Sequence, residues 1–278
     1  MKLLHFSDVH VQLPDWRTRS LSSLGPLRAL ATVELWKGRG KRYDGAPERI
    51  RQIVREATTL RADQVLLTGD LTQLGHAEEF ALARAALGAL AGDAARFITL
   101  PGNHDRYPIG GRASTLFEQA FPEQRASDLD GPLRVRLLGD EAALIIIDSA
   151  QPVSWPVVSG GAISEASLRA LAEVLRSPAL DRRCKLVAVH HAPTRRGRSR
   201  DWPRSDLRGA TSLMRIAADG GVEAILCGHI HDRFHDLPRP GRPHIVCAGS
   251  STDLENPGFW ELEFGQGRLE SITEHGLK

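Results

Sequence analysis

Apolar positions along the chain follow two periods. The unbroken runs "KLLHF" (2–6), "QVLL" (64–67), "RFITL" (96–100), "AALIII" (142–147), "KLVAV" (185–189), "EAILC" (223–227) and "HIVCA" (244–248) are short and rich in branched aliphatics. Runs of that length and composition predict buried strands. Between them, 47–60, 77–90, 164–177 and 206–220 carry apolar residues at helical spacing. Ser164, followed by Glu165 and Ser167, marks a helix start, and Gly220 with Gly221 marks a helix stop. Alternating strands and helices predict an α/β fold with largely parallel pairing in its core. The tail differs: "GFWELEF" (258–264) and "RLESITEH" (268–275) alternate around Gly265 and Gly267, which predicts a C-terminal hairpin over 258–275.

No internal repeat, low-complexity tract or Pro/Gly/Ser-rich linker interrupts this series, so 1–278 is read as a single domain. With 41% hydrophobic and 25% charged residues, the chain can bury a sizeable core. A formal charge of +2 gives no bulk attraction to nucleic acid. The three cysteines, Cys184, Cys227 and Cys247, are widely spaced and odd in number, which argues against a disulfide framework or a thiolate zinc site. A reducing cytoplasm is the compartment this suggests. After Met1 and Lys2 the apolar stretch is broken by His5, Ser7 and Asp8, too soon for a signal sequence, and no other run is long enough to span a bilayer.

Five predicted strands share one property: each leads, at its carboxyl end, into residues that bind metals or carry protons. "KLLHF" leads to Asp8 and His10, "QVLL" to Gly69 and Asp70, and "RFITL" to Gly102, Asn103, His104 and Asp105. "KLVAV" leads to His190 and His191, and "EAILC" to Gly228, His229 and His231. Ligands of open α/β sheets bind outside the carboxyl ends of the strands, so five such loops are expected to converge. Singly, each cluster is an ordinary turn or surface pair. Jointly, with a glycine before Asp70, Asn103 and His229 to let the backbone turn sharply, they predict one composite site.

As a series, Asp8-x-His10, Gly69-Asp70, Gly102-Asn103-His104-Asp105, His190-His191 and Gly228-His229-x-His231 resembles the calcineurin-like metallophosphoesterase superfamily, from residue 8 to residue 231. The resemblance implies a four-layer αββα sandwich: two mixed β-sheets face to face, flanked by helices, with a dinuclear metal site at the carboxyl ends of the strands. It implies Asp8, His10 and His231 on one divalent ion, Asn103, His190 and His229 on the other, and Asp70 bridging them. It further implies attack on phosphorus by a hydroxide held between the ions, with His104 as general acid or transition-state stabiliser. Carboxylate, imidazole and amide ligands suit manganese, iron or zinc. Asp105 either orients His104 or caps the helix that follows. His191, expected on the opposite face of its strand from His190, belongs beside the ligands rather than among them. His5 is expected to face the core or a neighbour, and His76, His235, His244 and His275 to be surface or structural.

Family members that act on phosphoproteins carry Gly-Asp-x-x-Asp-Arg-Gly at the second motif, whereas this chain reads Gly69-Asp70-Leu71-Thr72-Gln73-Leu74-Gly75. The aspartate that would pair with the catalytic histidine and the arginine that would grip phosphate are missing. The chain therefore resembles the bacterial phosphodiesterase-like branch, which includes cyclic-nucleotide phosphodiesterases. A phosphomonoesterase or nucleotide pyrophosphatase on the same site is the alternative, and a non-catalytic scaffold would show a lost ligand, which this chain does not. Its partner is then a small anionic phosphoester, with nucleotide and lipid-headgroup esters both fitting.

Two segments are expected to set specificity. In the insertion 12–46, Leu21, Leu24, Leu27, Leu30, Ala31 and Leu35 form a helical stripe followed by Trp36, Lys37, Arg39, Lys41 and Arg42. That pattern fits a helix packed on the body, a lid, or a segment touching a membrane surface. Residues 193–209 carry Arg195, Arg196, Arg198, Arg200, Arg204 and Arg208, an arginine-rich loop that is either a phosphate clamp or a solvated turn. Trp202 within it either stacks on a base or packs the loop down.

Overall fold

A computed structural model describes residues 1–15, 28, 32–33, 35, 38–107, 114–150, 159–198, 206–237 and 242–277. In chain order its strands are β1 (Lys2–Phe6), β2 (Gln64–Leu67), β3 (Phe97–Thr99), β4 (Arg134–Leu138), β5 (Ala142–Ile147), β6 (Gly161–Ala162), β7 (Cys184–His191), β8 (Leu207–Arg208), β9 (Val222–Gly228), β10 (Phe234–Asp236), β11 (His244–Cys247), β12 (Gly258–Gly265) and β13 (Arg268–Gly276). The main helices are α1 (Ala46–Thr59), α2 (Ala77–Leu87), α3 (Leu116–Ala120), α4 (Glu165–Val174) and α5 (Ala210–Asp219). One sheet has the order β13-β12-β1-β2-β3 and the other β10-β11-β9-β7-β5-β4. Both are mixed: β1, β2 and β3 pair in parallel, as do β5, β7, β9 and β11, while β12, β13, β4 and β10 pair antiparallel at the flanks.

Strand alternation sorts the core into three layers. Leu3, Leu66, Ile98, Leu144, Leu186, Leu226 and Trp260 fill the space between the sheets. On the next residues along, Leu4, Val65 and Phe97 face Ile50 and Ile53 of α1 and Phe80 of α2. Ile145, Val187 and Ile225 face Leu171 of α4 and Leu213 of α5. These faces make the predicted four-layer α/β sandwich. Each buried aliphatic contributes about 1.5–3 kcal/mol of hydrophobic stabilisation. Among the described residues, no helix is long and apolar enough to cross a membrane.

All seven apolar runs form strands, and the tail forms the predicted hairpin, turning at Gln266 and Gly267 with φ of 54° and 71°. Ser164 caps α4 by accepting from Ser167 N at 3.0 Å. Three helices differ from their expected spans, among them α4, which ends at Val174 rather than at 177. Gly88, with φ of 61°, ends α2 at Leu87, and α5 begins at Ala210 because Leu207 and Arg208 pair with β6 instead. Strand β4 carries no apolar run because, at a sheet edge, it alternates arginine with valine and leucine.

Candidate metal centre

The carboxyl ends of β1, β2, β3, β7 and β9 meet at one edge of the two sheets, and their loops bring the donors into contact. Each aspartate divides its oxygens between backbone and site. Asp8 Oδ2 accepts from His229 N at 2.9 Å, and its Oδ1 lies 3.3 Å from His231 Nε2 and 3.8 Å from His10 Nε2. Asp70 Oδ1 accepts from His104 N at 2.8 Å, and its Oδ2 lies 3.4 Å from His190 Nε2 and 3.8 Å from His10 Nε2. Asn103 Oδ1 sits 3.2 Å from His190 Nε2 and 3.0 Å from His229 Nδ1. Candidate ligand atoms of Asp8, His10, Asp70 and His231 all lie within 4.8 Å of one another, as do those of His190, His191 and His229. Asp70, placed between His10 and His190, joins the two groups.

Backbone strain marks the same residues. Asp8, His10, Asp70, His229 and His231 have φ of 51°, 44°, 51°, 71° and 60°, five of the seven non-glycine residues in the left-handed region among those described. That conformation costs about 1–2 kcal/mol for an ordinary residue and gathers where function over-determines the chain. The glycines before them act differently from the expectation of three sharp turns. Gly69 does have φ of 95°, but at Gly102 and Gly228 the constraint is close approach: a Cβ at Gly102 would overlap Asp70, and one at Gly228 would overlap Ser7 and Asp8.

Electrostatically the centre asks for a cation. Burial disfavours the ionised carboxylates, but the neighbouring histidines outweigh it and hold both Asp8 and Asp70 below the usual carboxylate range. Burial also opposes charge on His190, yet Asp70 and Asp8 raise its pKa to about 10. At His229, burial followed by the charge on His190 lowers the pKa to about 4. A proton on His190 thus balances the aspartates in the metal-free chain, the role a divalent ion would take. Asp8 Oδ1, buried without a well-formed hydrogen bond, and hard-to-borderline oxygen and nitrogen donors fit such an ion. His190 donates Nδ1–H to Thr68 O at 2.7 Å, which leaves Nε2 as the donor nitrogen.

The structure brings together every residue named from the motifs, with two differences from the expected arrangement, at His191 and at Asp105. His191 is not turned away from His190 by simple alternation. Pairing between β7 and β9 is irregular from Ala188 to His191, and both rings approach His229, with centroids at 4.4 Å (His191) and 5.4 Å (His190). Hydrogen bonding is what separates them: His191 accepts from Ser149 Oγ at 2.8 Å through Nδ1 and donates Nε2–H to Ser159 O at 3.1 Å. Asp105 neither orients the His104 ring nor caps a helix. It accepts from Leu71 N, Thr72 N, Thr72 Oγ1 and Gly102 N at 2.8–3.1 Å, tying the second and third loops together. His104 Nδ1 donates to the backbone carbonyl of Gln73 at 2.7 Å, so a neutral carbonyl stands where a phosphoprotein phosphatase would offer an aspartate.

A cleft of about 420 Å³ opens over the centre, lined by Asp70, Asn103, His104, His229, His231, Tyr43, Arg42, Arg195, Ser159 and Ile230. Of the described arginines in 193–209, Arg195 lines it, while Arg196 pairs with Asp232 at 2.7 Å and lies over Phe234. Arg200, Trp202 and Arg204 lie outside the described residues, as do Leu21, Leu24, Leu27, Leu30, Ala31, Trp36 and Lys37. Leu35 is buried against Leu74. Tyr43, Ser149 and Ser159 carry no motif and were not legible as site residues. His5 is buried between the sheets and bonded to Thr68 Oγ1 at 2.9 Å, His235 bonds His244 at 2.7 Å, His275 bonds Glu261 at 2.8 Å, and His76 caps α2.

The family model for calcineurin-like phosphoesterases matches residues 1–233. Over 200 residues the chain is 33% identical to a Rhodococcus erythropolis protein named "Probable cyclic nucleotide phosphodiesterase". That match covers 69% of this chain and 60% of the relative's length. Among solved structures, a dimetal phosphatase from Danio rerio superposes with a TM-score of 0.66 at 15% identity, covering 99% of this chain and 95% of the other. The purple acid phosphatase PPD1 of yellow lupin seeds gives 0.59 at 14% identity, covering 99% and 53%. At such identities the solved structures show the fold alone, and the family match carries the class of chemistry. Its span includes all five donor loops, and the chain belongs to the calcineurin-like phosphoesterase family.

Proposed function

We propose that the chain is a two-metal phosphodiesterase in which Asp8, His10 and His231 hold one divalent ion, Asn103, His190 and His229 hold the other, and Asp70 bridges them. The observation that carries this reading is the placement of Asp70 Oδ2 between His190 Nε2 at 3.4 Å and His10 Nε2 at 3.8 Å. When bound, the ions would activate the attacking water and neutralise charge on the phosphoryl oxygens; manganese, iron and zinc all suit the donors. His104 is the proton donor to the leaving group. With Nδ1–H donated to Gln73 O, its Nε2 carries a proton only in the imidazolium form, the form able to protonate a departing alkoxide.

Two observations favour a diester over a monoester. A diester has one negative charge at neutral pH, a monoester close to two, and the second motif supplies no cation: position 74 is a buried leucine. Arg42, at the cleft edge, is already paired with Asp253 at 2.6 Å and Glu255 at 2.9 Å. A cleft of about 420 Å³ suits a small ligand of mononucleotide size. The name of the Rhodococcus relative supports a cyclic nucleotide as that ligand. Manganese-loaded protein is expected to open 3′,5′- or 2′,3′-cyclic nucleotides faster than it dephosphorylates 5′-mononucleotides. The reverse order would favour a phosphomonoesterase, with Arg195 as the extra cation.

A further inference from the structure

The insertion after the first donor loop returns to the site through residues 38–45 and delivers one side chain to a donor. Tyr43 is buried, its ring 4.7 Å from that of His10 and its hydroxyl 2.9 Å from His231 Nδ1. The other nitrogen of His231, Nε2, faces Asp8 Oδ1 at 3.3 Å. The segment bearing Tyr43 is fastened on both sides. Gln12 donates to Gly40 O at 2.9 Å and to Asp44 Oδ1 at 3.0 Å. Arg49 donates to Asp44 O at 2.6 Å and to Thr252 O at 2.7 Å, and Leu254 N donates to Arg42 O at 3.0 Å.

We propose that Tyr43 is a positioning residue for the ion held by Asp8, His10 and His231: with the ion bound, its hydroxyl oxygen would accept the Nδ1 proton of His231 and so present Nε2 to the ion without a proton. An imidazole ligates only through a nitrogen without a proton, and the hydrogen bond made by its other nitrogen decides which one that is. The Thr68 carbonyl does this for His190 from within the strand framework. For His231 the acceptor comes from a segment more than 180 residues away in sequence, 188 by count. The insertion thereby takes part in building the metal site. The inference rests on the two-metal reading above.

Metal-free protein titrated with manganese in a calorimeter tests it, using the wild type, Tyr43→Phe, His231→Ala and the double variant. Tyr43→Phe keeps the ring against His10 and removes the hydroxyl alone. It is expected to weaken one manganese site about 10–100-fold, leave the other unchanged, and add nothing in the His231→Ala background. Unchanged affinity at both sites, equal weakening of both, or a further loss in the His231→Ala background would overturn the role. A second readout uses the loaded protein: in ¹H–¹⁵N spectra with zinc bound, the His231 Nδ1 proton is expected to be protected from exchange in the wild type and to lose that protection in Tyr43→Phe, and equal exchange in both would overturn the role. Wild type that takes up no manganese would instead contradict the two-metal reading itself.

Discussion

Asp70 sits where the two donor groups meet, and its oxygens have separate tasks: Oδ1 holds the His104 loop, and Oδ2 faces His190 and His10. Asp70→Asn keeps the first task and removes the charge from the second, so activity should be abolished and bound metal reduced, as measured by elemental analysis after dialysis. His190→Ala should behave alike. His104→Ala removes no proposed ligand, so metal content should stay while kcat falls about 10²–10⁴-fold, most for esters with poor leaving groups. Undiminished turnover of such esters by His104→Ala would exclude His104 from proton transfer.

At the scale of elements, two buried carboxylates hold the loops in place. Asp105 accepts four hydrogen bonds from the second and third donor loops. Asp105→Ala strands those donors and should cost roughly 2–4 kcal/mol in denaturant unfolding, with Asp105→Asn in between. Glu79 accepts from Leu74 N at 2.9 Å and His76 N at 3.1 Å, bracing the start of α2 against the second motif. Its burial raises its pKa to about 8. The folded chain therefore binds the Glu79 proton more tightly than the unfolded chain. Stability from this group is full at acid pH and falls as pH rises from about 4.5 to about 8, by up to a few kcal/mol at about 1.4 kcal/mol per unit. The stability of Glu79→Gln relative to wild type should rise across that window, and a difference constant with pH would contradict the assignment.

For the whole molecule, what could be read from sequence was what lies close along the chain. Buried strands demand unbroken apolar runs, and a donor just past a strand end has few places to go, so the sandwich and the convergence of Asp8, His10, Asp70, Asn103, His104, His190, His229 and His231 were legible. Contacts made at long range were not. Tyr43 reaches His231 only because the insertion is fastened to the loop around Asp253, and no local pattern announces it. The roles of Asp105 and His191 depend on which neighbours offer hydrogen bonds, which alternation alone does not determine. Leu74, in place of an arginine, makes sense beside Leu35 of the insertion and the Arg28 side chain, which donates to Leu74 O at 2.8 Å. The insertion and the second motif thus form one packed unit. The most direct test of a two-metal phosphodiesterase is hydrolysis of bis-p-nitrophenyl phosphate beside p-nitrophenyl phosphate by metal-stripped protein resupplied with manganese, iron or zinc. The account predicts no activity without metal and strong preference for the diester with it; activity on neither ester, or a preference for the monoester, would contradict it.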